Sequence, residues 1–152
     1  MCTSFMGELM TATHNFGTAP IRAASTADTF KGALYLASAT INASTTAYTV
    51  TGEVTGTGYS AGGVTVTNAT PPTATNASAT AGVAYWTPSA SLTYTSVTLT
   101  TAFDAVLIYN SSQSNKAVSV HTFGSQTITA GTFTLTMPSN TTSTALLRLA
   151  TT

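Results

Sequence analysis

Between Phe103 and Phe123 the chain reads Phe-Asp-Ala-Val-Leu-Ile-Tyr-Asn, then Ser-Ser-Gln-Ser-Asn, then Lys-Ala-Val-Ser-Val-His-Thr-Phe. Ala105 to Tyr109 is an unbroken apolar run with β-branched and aromatic members, the pattern of a strand buried on both faces. Five polar turn-formers, Ser111 to Asn115, interrupt it. The chain then resumes with Val118 and Val120 alternating against Ser119 and His121. Two such runs around a short polar loop predict a β-hairpin, and a hairpin buried on both faces needs further strands and a second layer around it.

The remaining sequence supplies them. Phe30 to Ala37 reads as a strand, Ala47 to Val54 as a short extended piece, and Val64 to Thr67 as a half-buried strand. Gly82 to Trp86 forms another. Leu92 and Tyr94 shift apolar phase against Val97 and Leu99, which predicts a bulge or break near Ser96. Phe133, Leu135 and Met137 alternate with Thr132, Thr134 and Thr136 until Pro138 ends the strand. Ala145 to Ala150 closes the series. Eight or nine strands at regular spacing predict a mainly β chain. The expected architecture is an antiparallel β-sandwich, jelly-roll or immunoglobulin-like, with a barrel as the alternative. Residues 68–81, with Pro71-Pro72, read as a long surface loop.

Ser4 to Phe16 carries the single helical pattern. Phe5 with Leu9, Met6 with Met10, and Ala12 with Phe16 fall four apart, Thr3 or Ser4 can cap the start, and Gly17 supplies the stop. One β-domain over 1–152 is expected, with residues 3–16 as an N-terminal helix or docking arm and 30–150 as the sandwich.

Charge narrows the function. Only 5% of residues are Asp, Glu, Lys or Arg, and they sum to zero, against about 25% in ordinary domains. A neutral chain has no electrostatic footprint for nucleic acid or an anionic membrane. It also lacks the usual protection against self-association, so much of its surface is better buried against partners. No apolar run approaches the roughly 20 residues of a membrane-spanning helix, and no basic-then-apolar leader opens the chain. Hydrophobic content of 43% argues against disorder. Five Asn-x-Ser/Thr triplets, beginning at Asn42, Asn68, Asn76, Asn110 and Asn140, are what chance gives in a chain this rich in Ser and Thr.

Candidate chemistry is sparse. The carboxylates Glu8, Asp28, Glu53 and Asp104 are scattered, as are His14 and His121. Asp104 and His121 with one of many serines would make a triad only by geometry, and no Gly-x-Ser-x-Gly elbow supports it. The histidines lack metal-ligand spacing. Cys2 stands alone, without a disulfide partner. The glycines from Gly52 to Gly63 lack the Lys-Ser/Thr of a phosphate loop and fit tight turns around Tyr59 better. Tyr59, Tyr85 and Trp86 could face a carbohydrate, although scattered aromatics usually belong to a core. Neither catalytic nor metal nor cofactor residues are assigned.

A set of segments in order carries a resemblance. It comprises Cys2-Thr-Ser-Phe-Met-Gly-Glu-Leu-Met10 with His14-Asn15-Phe16, then Asp28-Thr-Phe-Lys-Gly-Ala-Leu-Tyr35 and Ser44-Thr-Thr-Ala-Tyr48. Glu53-Val-Thr-Gly-Thr-Gly-Tyr-Ser-Ala-Gly-Gly63, Val106-Leu-Ile-Tyr-Asn110, Asn115-Lys-Ala-Val118 and Gly131-Thr-Phe-Thr-Leu-Thr-Met-Pro138 follow. Together they resemble a family of small structural proteins of tailed bacteriophages. The resemblance implies a non-enzymatic virion component made in the host cytoplasm, with no catalytic residues to carry over. A head decoration or cement protein bound to the major capsid protein on the capsid surface is the expected role. A tail or head-fibre component, or a carbohydrate-binding module, is the alternative. A dimer or trimer is expected, with neither nucleic acid nor membrane as partner. Phe5, Leu9, Met10, Phe16 and Phe30 are the expected interface anchors.

Overall fold

The structure, a computed structural model, describes residues 2, 5, 13–14, 16, 27–68, 72–75 and 82–150. Seven strands run through them: β1 (Phe30–Leu36), β2 (Val64–Thr65), β3 (Thr73–Ala74), β4 (Val83–Trp86), β5 (Leu92–Asn110), β6 (Lys116–Leu135) and β7 (Leu147–Ala150). They form a four-stranded sheet in the order β2-β1-β5-β6 and a three-stranded sheet in the order β3-β4-β7, with every pairing antiparallel. The chain is therefore mainly β, as the period-two patterning requires.

The predicted hairpin is the spine of the larger sheet. Asn110 pairs with Lys116 across the Ser111–Asn115 loop, and the ladder continues until Leu92 meets Leu135. Ser114 and Asn115 take the left-handed backbone that closes the loop. Asn110 Oδ1 accepts from the Ser112 amide at 3.1 Å, an Asx-type turn. Ala105 to Asn110 are all buried, because β1 and β6 flank this half of β5 and side chains cover both faces.

The outer half of the hairpin is a different object. Leu92, Tyr94, Val97 and Leu99 are buried, while Thr93, Thr95, Thr100 and Thr101 on the other face are exposed. On the partner side residues 131–136 alternate between half-buried and exposed in the same sense, while 124–127 are all exposed. Threonine satisfies that solvent face without charge and still favours extended backbone.

Several boundaries differ from the sequence reading. The phase shift near Ser96 is a bulge inside one strand: Ser96 has φ +53° and the register slips between Tyr94 and Val97. The segments expected as separate strands after Lys116 are one 20-residue strand. Gly124 and Gly131 do not end it, because the chain between them keeps pairing with β5 and absorbs the mismatch at Ala130, φ +47°. Strand count falls to seven among the described residues for this reason. Residues 47–54 make turns with isolated bridges, Ala47 to Lys116 and Glu53 to Tyr35, in place of a strand. The expected loop at 68–81 contributes Thr73–Ala74 to the smaller sheet.

No helix stands among the elements of the described residues. The helix expected over 3–16 lies largely outside them, Phe5 alone having helical backbone. What is described there is core. Cys2, Phe5, His14 and Phe16 are all buried. Phe16 stacks on Phe30 with centroids 4.7 Å apart and meets Trp86 edge-on at 4.8 Å. Trp86 Nε1 donates to Asn68 Oδ1 at 2.9 Å, and Asn68 Nδ2 donates to the Phe16 carbonyl. This corner joins β1, β4 and the N-terminal segment through aromatic contact and a bridging amide.

Truncating Phe16 to alanine should therefore cost about 3–5 kcal/mol. Trp86 is the only tryptophan of the chain, so denaturant unfolding followed by its fluorescence checks this. A lowered midpoint with red-shifted native emission is expected.

Candidate functional site

The polar groups assemble into three separate places. The most developed surrounds Glu53, which is buried just after the turn at Gly52. Tyr59 Oη donates to its Oε1 at 2.7 Å, the Gly62 amide donates to the same oxygen at 2.7 Å, and Tyr48 Oη donates to Oε2 at 2.6 Å. Tyr59 Oη also accepts from the Leu34 amide of β1 at 3.0 Å. Tyr109 donates to the Gly62 carbonyl and Tyr94 to the Gly32 carbonyl, 2.9 and 2.8 Å. Tyr35 donates to the Thr49 carbonyl.

These tyrosines come from β1, β5 and the intervening loop, and rings stack between them, Tyr48 on Tyr109 at 4.6 Å and Tyr59 on Tyr94 at 6.0 Å. Burial, then the nearby Glu53 charge, pushes Tyr109 up to about 12 and raises Tyr48, Tyr59 and Tyr94 as well. All four keep their protons at physiological pH and act as donors or packed rings. The glycines of this loop serve close backbone approach, as their spacing suggested. A Cβ on Gly63, φ +71°, would lie 1.7 Å from the Gly32 carbonyl oxygen, and one on Gly58, φ +77°, 2.2 Å from that of Ser96. The arrangement pins loop 53–63 across the sheet. Two tyrosine hydroxyls and one backbone amide fill the carboxylate's acceptor sites and hold it in place.

The second place is at the hairpin's turn. Asn110, fully buried, donates through Nδ2 to Asp28 Oδ2 at 2.8 Å and stands 3.0 Å from His14 Nδ1. Gln113 donates to Asp28 Oδ1 at 3.1 Å. His14 is enclosed by Phe5 and Phe30, at 4.8 and 6.2 Å between ring centres. This network fastens the chain before β1 to the hairpin loop.

Third, His121 Nε2 lies 2.9 Å from Ser119 Oγ. Burial lowers His121 to about 4, so it is neutral at physiological pH. Asp104, on β5, is hydrogen-bonded to neither, so the arrangement expected of a triad is not assembled. Ser119 is fully buried beside Val118, which gives its hydroxyl no access to a substrate. Among the described residues no three His, Cys, Asp or Glu side chains gather as a metal would need.

The residues singled out for partners fall as follows. Phe5, Phe16 and Phe30 are buried in the core of this chain, their rings packed against Trp86, His14 and one another. Leu9 and Met10 lie outside the described residues. Trp86 is buried and Tyr59 is committed to Glu53, so with half-buried Tyr85 they present no aromatic platform. An apolar cleft between Phe16, Tyr85, Trp86 and Leu147 has Arg148 as the one charged residue among its described lining. The Thr-lined face and open edge of the outer hairpin are exposed, a surface the sequence reading treated only as strand. Its signal was present in the uncharged run from 117 to 147.

Comparison with protein-family models, with curated proteins and with solved structures finds no match.

Replacing Glu53 with glutamine turns one acceptor of this pocket into a donor facing donors. A loss of about 2–3 kcal/mol is expected, the range for hydrogen bonds to a charged group, read from the urea midpoint against wild type.

Proposed function

We propose that this chain is a non-enzymatic structural protein of a tailed-bacteriophage virion, a decoration protein that binds the major capsid protein on the outer head shell. Synthesis in the host cytoplasm precedes its addition to the particle. The observation that carries this reading is the exposed surface of the outer hairpin. It is threonine-lined and free of Lys, Arg, Asp and Glu from residue 117 to residue 147. Such a surface binds without electrostatic steering, through area and shape, and is suited to a fixed place in a lattice.

Two further points support it. The segments from Cys2 to Pro138 quoted above resemble small phage structural proteins. The polar clusters at Glu53, Asp28 and His121 are each explained by holding the fold together. On this reading the two sheets form the layers of a sandwich. The anchors belong to the hairpin surface, because the N-terminal aromatics are occupied within the chain.

Quantitative mass spectrometry of purified particles, with the major capsid protein as internal count, is the test. Copies in a simple ratio to that protein are expected. A small fixed number would instead place the chain in the tail or fibres, and absence from particles would overturn the virion assignment.

A further inference from the structure

The four-stranded sheet has two very unequal edges. On one side it ends in β2, two residues long. On the other it ends in β6, twenty residues long, whose one strand partner among the described residues is β5, with Lys116 also bridged to Ala47. The first residues of that outer edge are covered by the chain itself. The Ala117 amide donates to the Thr46 carbonyl at 2.9 Å, and the Cys2 amide donates to the Val118 carbonyl at 3.1 Å. From Ser119 to Leu135, no backbone group on that side bonds to another segment among the described residues, the Gly124 carbonyl accepting only from the nearby Gln126 side chain. At about 3.3 Å per residue this is an open edge of roughly 55 Å.

Edges of this length are normally blunted by lysine, proline or inward charge. This one has none of them: no charged residue and no proline occurs from Ala117 to Leu135. His121, its one titratable group, is neutral at physiological pH. Phe123, Ile128, Phe133 and Leu135 are only partly covered by the core and lie along it. We propose that the β6 edge is a self-pairing surface. A second copy of this chain adds its own β6 antiparallel to the first, giving a continuous eight-stranded sheet.

Three features favour a second copy over a foreign strand. In a twofold pair residue i opposes j while j opposes i, so an edge without charge meets itself with no like-charge opposition. Threonine opposite threonine is a favourable cross-strand pair. The irregularities of β6 are also placed for it. Register with β5 is regular at Ser119–Thr122 and again at Phe133–Leu135, with the mismatches between. With the twofold near Thr127, the first regular segment of one copy faces the second regular segment of the other. Thr122 then opposes Thr132, both exposed in the isolated chain. On the far side the edge is the two-residue β2 and, beyond the reach of β1, residues 92–102 of β5. The bulge at Ser96 bends that stretch and the loop at 56–58 covers it through the Thr57–Thr98 bridge, so the assembly closes at two copies.

This pairing does not require the virion assignment, and the two fail separately. Light scattering coupled to size exclusion, run over a dilution series, should give twice the 15.4 kDa chain mass. The variant T122K/T132K sets lysine against lysine twice and should run at the mass of one chain, with wild-type circular dichroism. The variant T122K/T132E alters the same positions but sets lysine against glutamate, and should run as a dimer. A wild-type monomer, an open-ended aggregate, or a T122K/T132K protein that still dimerises overturns the proposal. A monomer found on purified particles overturns the pairing and leaves the shell assignment standing.

Discussion

β5 is held on both sides. Between Phe103 and Asn110 it pairs with β1 and with β6, and most of its side chains on either face are out of water. Few segments of the chain could serve this way, because a strand in the middle of a sheet must be apolar in both phases. Once it is placed, the other long-range contacts have fixed destinations. Phe30 at the start of β1 meets Asn110, and the turn network of Asp28, Asn110 and Gln113 ties the approach to β1 to the hairpin loop. Phe16, His14 and Trp86 then gather on Phe30.

Glu53 plays the corresponding part for the loop between β1 and β2. A buried carboxylate is expensive unless its acceptors are filled. Here two tyrosine hydroxyls and an amide fill them, and those groups are themselves anchored to β1 and to Tyr94. Polar chemistry that on a surface would invite a catalytic reading is spent on fixing a loop. The outer hairpin is the opposite case. Its apolar face is packed, while its threonine face and most of its outer backbone edge are exposed.

The inner hairpin was legible in the sequence because the run Ala105–Tyr109 is apolar at every position, which no half-exposed strand would show. The bulge at Ser96 was legible as a phase shift. The length of β6 was not, since Gly124, Gly131 and the residues between them look like loop, and only pairing with β5 keeps them extended. The Glu53 cluster was hidden for a different reason. Tyr35, Tyr48, Tyr59, Tyr94 and Tyr109 are spread over more than seventy positions, and only the β1–β5 register brings them together. The stripe of Phe5 and Phe16 was visible, but its destination was open between the chain's own core and a partner; the contacts with Trp86 and Phe30 place the Phe16 ring in the core.

The central claim is that β5 is two things in one strand, core from Phe103 to Asn110 and outer ribbon from Leu92 to Ala102. Native-state hydrogen exchange resolved along β5 tests it directly. The account predicts that amides of 103–110 exchange only through global unfolding and are among the slowest in the protein, with those of 92–102 opening at lower free energy. Equal protection along the whole strand, or faster exchange in 103–110, would contradict it.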